Sequence, residues 1–124
     1  MANSKNYNNL SQVEPSLESQ DYYSDEAFEA ELKHVWYKNW IYAGRDSELA
    51  RQGDFKSLRI GSQNLLLVKN AQGEIKGFHN TCRHRGSELC SEEQGNLKSK
   101  TISCPYHRWT YSLDGELIRT PNLI

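Results

Sequence analysis

The spacing of apolar residues along this chain of 124 residues changes from a helical period to a strand pattern. In the helical part, Ser24 can cap a helix N-terminus, and apolar side chains then recur on one helix face. These side chains are Phe28, Leu32, Val35 and Trp36. The pattern predicts an amphipathic helix from about residue 25 to residue 38. We expect the neighbouring aromatic residues Trp36, Trp40 and Tyr42 to pack in a core.

Beyond this helix the pattern is that of short strands, rich in β-branched and aromatic residues or alternating between apolar and polar. The stretches are WIYAG, DFKSLRI, NLLLVK, EIKGFHN, KTISC, TYSL and ELI. The pair Asp114-Gly115 predicts a tight turn between the last two. Strands at this spacing predict a mainly β fold, a small antiparallel sandwich or barrel with an N-terminal helix.

Composition limits the domain organisation and the partners. Hydrophobic residues make up 36% and charged residues 25% of the chain, which suits one domain with one modest core. We expect residues 1–20, which are polar, to form an N-terminal arm and residues 21–124 to form a single domain. A net charge of −1 argues against nucleic-acid binding, and no apolar run suits a membrane span. The expected location is the cytoplasm, where thiols stay reduced.

Two short stretches each place a cysteine close to a histidine. One residue separates Cys82 from His84, two separate Cys104 from His107, and nineteen lie between the pairs. Two thiolates and two imidazoles suit either a tetrahedral zinc ion or a [2Fe-2S] cluster in which two histidines replace two cysteines on one iron. Zinc sites usually group cysteines with cysteines, so the mixed pairs favour the cluster.

Basic residues interleave with these four positions. Arg83, Arg85 and Arg108 either steer an acidic electron donor to the site or form ion pairs with local acids such as Glu88. Gly86 is expected to shape the first loop.

The third cysteine, Cys90, lies outside both pairs. We expect it to be a buried and inert thiol.

The stretches NTCRHRG and CPYHRWTYSLDG resemble the N-terminal Rieske domain of the alpha subunit of aromatic-ring-hydroxylating dioxygenases. The similarity runs from about residue 24 to residue 122 and includes the opening helix. It implies one Rieske-type [2Fe-2S] cluster, with the histidines on the outer, more exposed iron. The ligands that the resemblance implies are Cys82, His84, Cys104 and His107.

The resemblance also concerns residues beside the ligands. Respiratory-type Rieske proteins carry a serine and an extra half-cystine where this chain has Trp109 and Tyr106. Tyr111 can still donate a hydrogen bond to a ligand sulfur and so tune the cluster.

The function that the resemblance implies is one-electron transfer. The donor would be a ferredoxin or a reductase, and the acceptor a mononuclear iron held by two histidines and one carboxylate in a catalytic domain. His34 and His79 belong to no such ligand set, so this chain is expected to lack the catalytic iron site. Complete alpha subunits of the family often form rings of three. The resemblance therefore implies that a full-length parent of this chain is trimeric. The alternatives are a stand-alone Rieske ferredoxin and a structural zinc-binding module.

Overall fold

The computed structural model describes residues 14–121, which form two compact units that divide between Trp40 and Ile41. Residues 1–13 of the predicted arm lie outside the described residues. The predicted single domain of residues 21–124 stays a prediction. Within residues 14–121, no helix has the length and apolar character needed to cross a membrane.

The first unit contains the predicted helix. After a 3₁₀ turn over Ser19–Tyr22, the N–H of Ala27 donates to the Oγ of Ser24 at 3.1 Å and caps the helix. Helix α1 spans Asp25–Glu31 and continues as a π-helical turn over Leu32–Trp36. The predicted helix is therefore confirmed, with its last turn widened.

The prediction that the aromatic residues near the end of this helix pack in a core is wrong. Trp36, Trp40 and Tyr42 are 45%, 102% and 77% exposed. The predicted strand at residues 40–44 is also absent, and Gly44 has a φ of +138°, far from strand values. Without a strand there, these rings have no sheet face to line.

The second unit begins with a 3₁₀ turn over Asp46–Leu49 and is otherwise built of β-structure. The strands are β1 (Asp54–Ile60), β2 (Gln63–Lys69), β3 (Ile75–His79), β4 (Gln94–Asn96), β5 (Thr101–Ser103), β6 (Thr110–Ser112) and β7 (Leu117–Arg119). They form a four-stranded sheet in the order β3-β2-β1-β4 and a three-stranded sheet in the order β5-β6-β7. Every pairing is antiparallel, which confirms the predicted fold class.

Alternation along the strands determines which side chains form the core. In β2, Leu66 and Val68 are fully buried, while Leu67 between them faces the other side of the sheet. From the second sheet, Ile102 and Tyr111 join the same hydrophobic cluster. Cys82 and Cys104 also belong to it, so the core ends at the two cysteine–histidine loops.

Two turns at the strand ends are joined by a buried asparagine. The Oδ1 of Asn70 accepts hydrogen bonds from the N–H groups of Gln72 and Glu74, at 3.0 and 2.8 Å. Its Nδ2 donates to the carboxylates of Glu74 and Asp114, at 3.1 and 2.8 Å. Asp114 lies in the predicted β6–β7 turn, where Gly115 has a φ of +89°. The turn after β2 is thereby tied to the hairpin of the second sheet.

Candidate metal centre

The predicted ligands lie on two loops. The first follows β3 and carries Cys82 and His84, and the second joins β5 to β6 and carries Cys104 and His107. Both cysteines are 2% exposed. His84 is exposed and His107 is half-buried. The sulfurs thus face the core and the imidazoles lie nearer the surface.

Two backbone hydrogen bonds close the first loop around Cys82. The N–H of Gly86 donates to the carbonyl of Cys82 at 2.9 Å, and the N–H of Cys82 donates to the carbonyl of Ser87 at 2.7 Å. Gly86 has a φ of +75°, a left-handed conformation that glycine adopts readily. This agrees with the loop-shaping role predicted for it.

The second loop repeats this arrangement around Cys104. The N–H of Arg108 donates to the carbonyl of Cys104 at 3.0 Å, and the N–H of Cys104 donates to the carbonyl of Trp109 at 2.8 Å. Arg108 stands at the position equivalent to Gly86 and has a φ of +61°. Both loops therefore present their cysteines through the same backbone turn.

The sulfur of Cys82 lies in a cradle of hydrogen-bond donors. The hydroxyl of Tyr111 is 3.4 Å from this sulfur and accepts a hydrogen bond from the N–H of Arg83 at 3.1 Å. Because that N–H can only donate, the hydroxyl proton is free to point at the sulfur. Burial and the contact with Cys82 raise the pKa of Tyr111, so its hydroxyl keeps that proton.

This cradle favours the thiolate form of Cys82. Burial is the largest single influence on the pKa of this thiol and raises it. The hydrogen bonds from Tyr111 and from the N–H groups of His84 and Arg85, together with the contact with Cys104, outweigh burial, and the pKa is lowered. Since the thiolate is the form that binds metals, Cys82 is prepared for ligation.

The imidazoles form part of a chain of rings that links the two loops. The centroids of His84 and His107 are 4.9 Å apart, edge to face. Trp109 stacks on His84 at 4.4 Å, and Tyr106 lies against His107 at 3.9 Å. The guanidinium of Arg85 lies 5.8 Å from the ring of Tyr106. Trp109 of the second loop thus contacts the histidine of the first loop, and Tyr106 contacts the histidine of its own loop.

One imidazole nitrogen has no partner. Within the described residues, Nδ1 of His107 is buried and makes no hydrogen bond. A buried polar atom without a partner costs free energy unless something else binds it. A metal ligand bond would satisfy this nitrogen, so the donor set fits a bound metal centre.

The arrangement suits two metal ions better than one. A tetrahedral zinc site needs four ligands around one point. A two-iron cluster needs two pairs, and here Cys82 and Cys104 lie in the same core cluster while the rings of His84 and His107 are 4.9 Å apart.

The three arginines of the loops form no ion pairs with any acid among residues 14–121. Arg83, Arg85 and Arg108 are all exposed. The carboxylate of Glu88 instead accepts a hydrogen bond from Nδ2 of Asn64 at 2.7 Å. Of the two interpretations made from the sequence, ion pairing with Glu88 therefore has no support in the structure.

Asn80 is a site residue that the sequence reasoning missed. It is 1% exposed, and its Oδ1 accepts from the N–H groups of Leu89 and Cys90 at 3.2 and 2.9 Å. Its Nδ2 donates to the carbonyl of Cys90 at 2.7 Å. Asn80 thereby holds together the two ends of the segment that carries Cys82. A polar residue at the end of a predicted strand and two positions before a ligand was the only signal.

Cys90 lies in the core as expected, as a free thiol. Burial, followed by the charges of Glu88 and Glu92, raises its pKa to about 11. At neutral pH its thiolate fraction should be about 100-fold below that of an unperturbed cysteine. We expect alkylation by iodoacetamide, followed by mass spectrometry of the Cys90 peptide, to be slower by about that factor than in the unfolded chain. Equal rates in the two states would contradict this.

Comparison with known proteins gives the family. The model of the Rieske [2Fe-2S] domain matches residues 39–123, and the chain belongs to this family. It is 43% identical to the glycine betaine monooxygenase oxygenase subunit of Pseudomonas aeruginosa strain UCBPP-PA14, over 80% of this chain and 23% of that protein. It is 38% identical to biphenyl 2,3-dioxygenase subunit alpha of Rhodococcus jostii strain RHA1, over 80% of this chain and 21% of that protein.

Solved structures give the same result. The quaternary ammonium Rieske monooxygenase CntA, in complex with gamma-butyrobetaine, matches with a TM-score of 0.77 and 35% identity, over 83% of this chain and 29% of that one. The chain thus spans about a quarter of the length of its relatives. It is homologous to the N-terminal part of Rieske oxygenase alpha subunits, as the sequence predicted, and its cofactor is a Rieske-type [2Fe-2S] cluster rather than a zinc ion.

Proposed function

We propose that this chain is the domain through which electrons enter a Rieske oxygenase. Cys82 and Cys104 would bind one iron of its cluster, and His84 and His107 the other. The observation that carries this proposal is the separation of the two pairs, with the sulfurs together in the core and the imidazoles together towards the surface. The unpartnered Nδ1 of His107 further supports the assignment.

When bound, a Rieske cluster supplies one-electron redox chemistry, at a higher potential than clusters with cysteine ligands only. The chain's own residues place the cysteine ligands and the histidine ligands in different surroundings. The core excludes water from the sulfurs of Cys82 and Cys104, whereas the exposed ring of His84 is open to a partner protein. The histidine side of the site is therefore the side through which we expect electrons to pass.

The partners belong to the same proposal. We infer a ferredoxin or a reductase as the donor, and a mononuclear iron in a catalytic domain as the acceptor, in a parent that forms trimers. The relatives support an oxygenase context because their names describe oxygenase subunits.

The relatives that this domain resembles are named for different kinds of substrate. The domain is 43% identical to the glycine betaine subunit, 39% to the salicylate 5-hydroxylase large component of Ralstonia sp and 38% to the biphenyl subunit. Relatives named for such different substrates share nearly equal similarity to it. An aromatic-ring dioxygenase as the parent stays a prediction.

A reductive titration tests the proposed function. The chain is purified anaerobically, and dithionite is added in measured portions while the visible spectrum is recorded. We expect a coloured protein that takes up one electron per chain and bleaches in step. A colourless protein, or a coloured one that accepts no electron, would overturn the proposal.

Tyr111 should raise the reduction potential. Its hydroxyl donates to the sulfur of Cys82, and this hydrogen bond strengthens when the added electron increases the negative charge on the site. Tyr111→Phe removes this extra stabilisation of the reduced state. A loss of about 0.5–1.5 kcal/mol corresponds to a potential lower by about 20–60 mV. Protein-film voltammetry measures this shift.

Tyr106→Phe is the matched control for this measurement. Tyr106 lies beside His107 but is 58% exposed, and its hydroxyl makes no hydrogen bond among the described residues. We expect its removal to leave the potential unchanged. Equal shifts in both variants would contradict the role assigned to the Tyr111 hydroxyl.

A further inference from the structure

The two cluster loops differ at one structurally equivalent position. In each loop the residue four places after the cysteine donates its N–H to the carbonyl of that cysteine and has a positive φ. That residue is Gly86 in the first loop and Arg108 in the second. Left-handed backbone is unfavourable for a residue with a Cβ and free of that cost for glycine.

Space does not explain why one loop has glycine. A Cβ placed on Gly86 would meet no atom within 4 Å, so only the backbone conformation favours glycine there. The same backbone conformation exists at position 108, yet an arginine occupies it. Local strain that is kept at a functional site indicates that the side chain has a use.

Contacts within the chain do not account for this arginine. The other residue with a Cβ and a positive φ in residues 14–121 is Lys100, whose Nζ donates to the carbonyl of Gln52 at 2.7 Å. The guanidinium of Arg108 makes no hydrogen bond, ion pair or ring contact within the same residues. Its five donors are free for a partner outside the chain.

Two more arginines lie on the loop that carries His84. Arg83 and Arg85 flank this histidine, are exposed and form no ion pair within residues 14–121. Neither of the segments 82–87 and 104–109 contains an acid. Three positive charges therefore lie on the two loops that carry His84 and His107, in a chain whose net charge is −1. We call Arg83, Arg85 and Arg108 the arginine collar.

We infer that the arginine collar is the docking surface for an acidic protein that delivers the electron, with Arg108 retained at an unfavourable backbone conformation for this contact. The inference rests on the proposed function and names the chemistry of its donor. Carboxylates of the donor would pair with the guanidinium groups, which steers the encounter and brings the donor to the histidine side. One electron leaves the donor and one enters this domain, and no bond is made or broken.

The test compares Arg108→Gly with the unsubstituted domain. The probe is a plant-type [2Fe-2S] ferredoxin, an acidic protein, reduced by NADPH through its reductase. Stopped-flow absorbance gives the second-order rate constant for reduction of the domain at several ionic strengths. We expect the substitution to lower this constant about tenfold at low salt, and the difference to shrink as salt screens the charges.

Two measurements and one control variant separate docking from other effects of the substitution. Photoreduced deazaflavin is neutral and needs no docking surface, so its rate constant should be the same for both proteins. Chemical denaturation should show that Arg108→Gly is at least as stable as the original chain, because glycine removes the backbone strain. Lys98→Gln removes an exposed charge after β4 and should leave the ferredoxin rate constant unchanged.

The outcomes distinguish this inference from the proposed function. A domain that deazaflavin cannot reduce would overturn the proposed function itself. A domain that deazaflavin reduces, with equal ferredoxin rate constants before and after the substitution, would overturn the docking surface only. A less stable Arg108→Gly variant would contradict the argument from backbone strain.

Discussion

Replacing Cys104 by alanine is expected to leave a chain that holds no [2Fe-2S] cluster, whereas replacing Cys90 by alanine leaves the cluster in place. Both side chains are buried in the same hydrophobic cluster, so both substitutions remove the same atoms from the same core. Only Cys104 stands in the proposed ligand set, and its loss would remove one of the two sulfur ligands proposed for one iron. Iron and acid-labile sulfide, measured per chain after anaerobic purification, report the difference.

The histidines allow the same comparison. His107→Ala is expected to lose the cluster, and His79→Ala, at an exposed position on β3, to keep it. Circular dichroism of each apo-protein establishes that the strands are still formed. Cluster retained in Cys104→Ala, or lost in Cys90→Ala, would contradict the ligand assignment.

Replacing Asn80 by alanine is expected to lower the free energy of unfolding and to speed release of the cluster. The substitution leaves two N–H groups and one carbonyl of Leu89 and Cys90 without partners in a buried place. Three such losses amount to about 3 kcal/mol, a large part of the stability of a small domain. Urea unfolding measures the free energy, and the decay of visible absorption in a chelator solution measures cluster release.

Asn70→Ala is the matched control for Asn80→Ala. Asn70 is also 1% exposed and also makes several side-chain hydrogen bonds, but none of its partners belongs to a cluster loop. We expect a similar loss of unfolding free energy and an unchanged rate of cluster release under native conditions. If both variants release the cluster equally fast, Asn80 acts only through global stability and not by positioning the first loop.

The strands differ in how far the sequence determines them locally. Strand β1 could be predicted because its alternation is strong and its bounds match the stretch DFKSLRI. Strand β4 could not, because Gln-Gly-Asn has no strand propensity and pairs only because the edge of β1 offers hydrogen bonds from Asp54 to Lys56. Tertiary context likewise decides the exposure of Trp40, whose aromatic character had suggested a core residue.

The residues of the candidate site also differ in how far the sequence predicts them. Its four proposed ligands were recognisable because cysteine and histidine are scarce in this chain and occur in closely spaced mixed pairs. Neither the role of Asn80 nor the equivalence of Gly86 and Arg108 was recognisable. Both depend on how the loops close in three dimensions, through side-chain and backbone hydrogen bonds that no local pattern specifies.

The most direct test is whether exactly two histidine nitrogens bind the cluster. The chain is labelled with ¹⁵N-histidine, loaded with iron and sulfide, reduced, and examined by pulsed electron paramagnetic resonance. The account predicts two strongly coupled histidine nitrogens, which are retained when His34 and His79 are both replaced by alanine. A spectrum without histidine coupling, or one whose coupling disappears in that double variant, would contradict it.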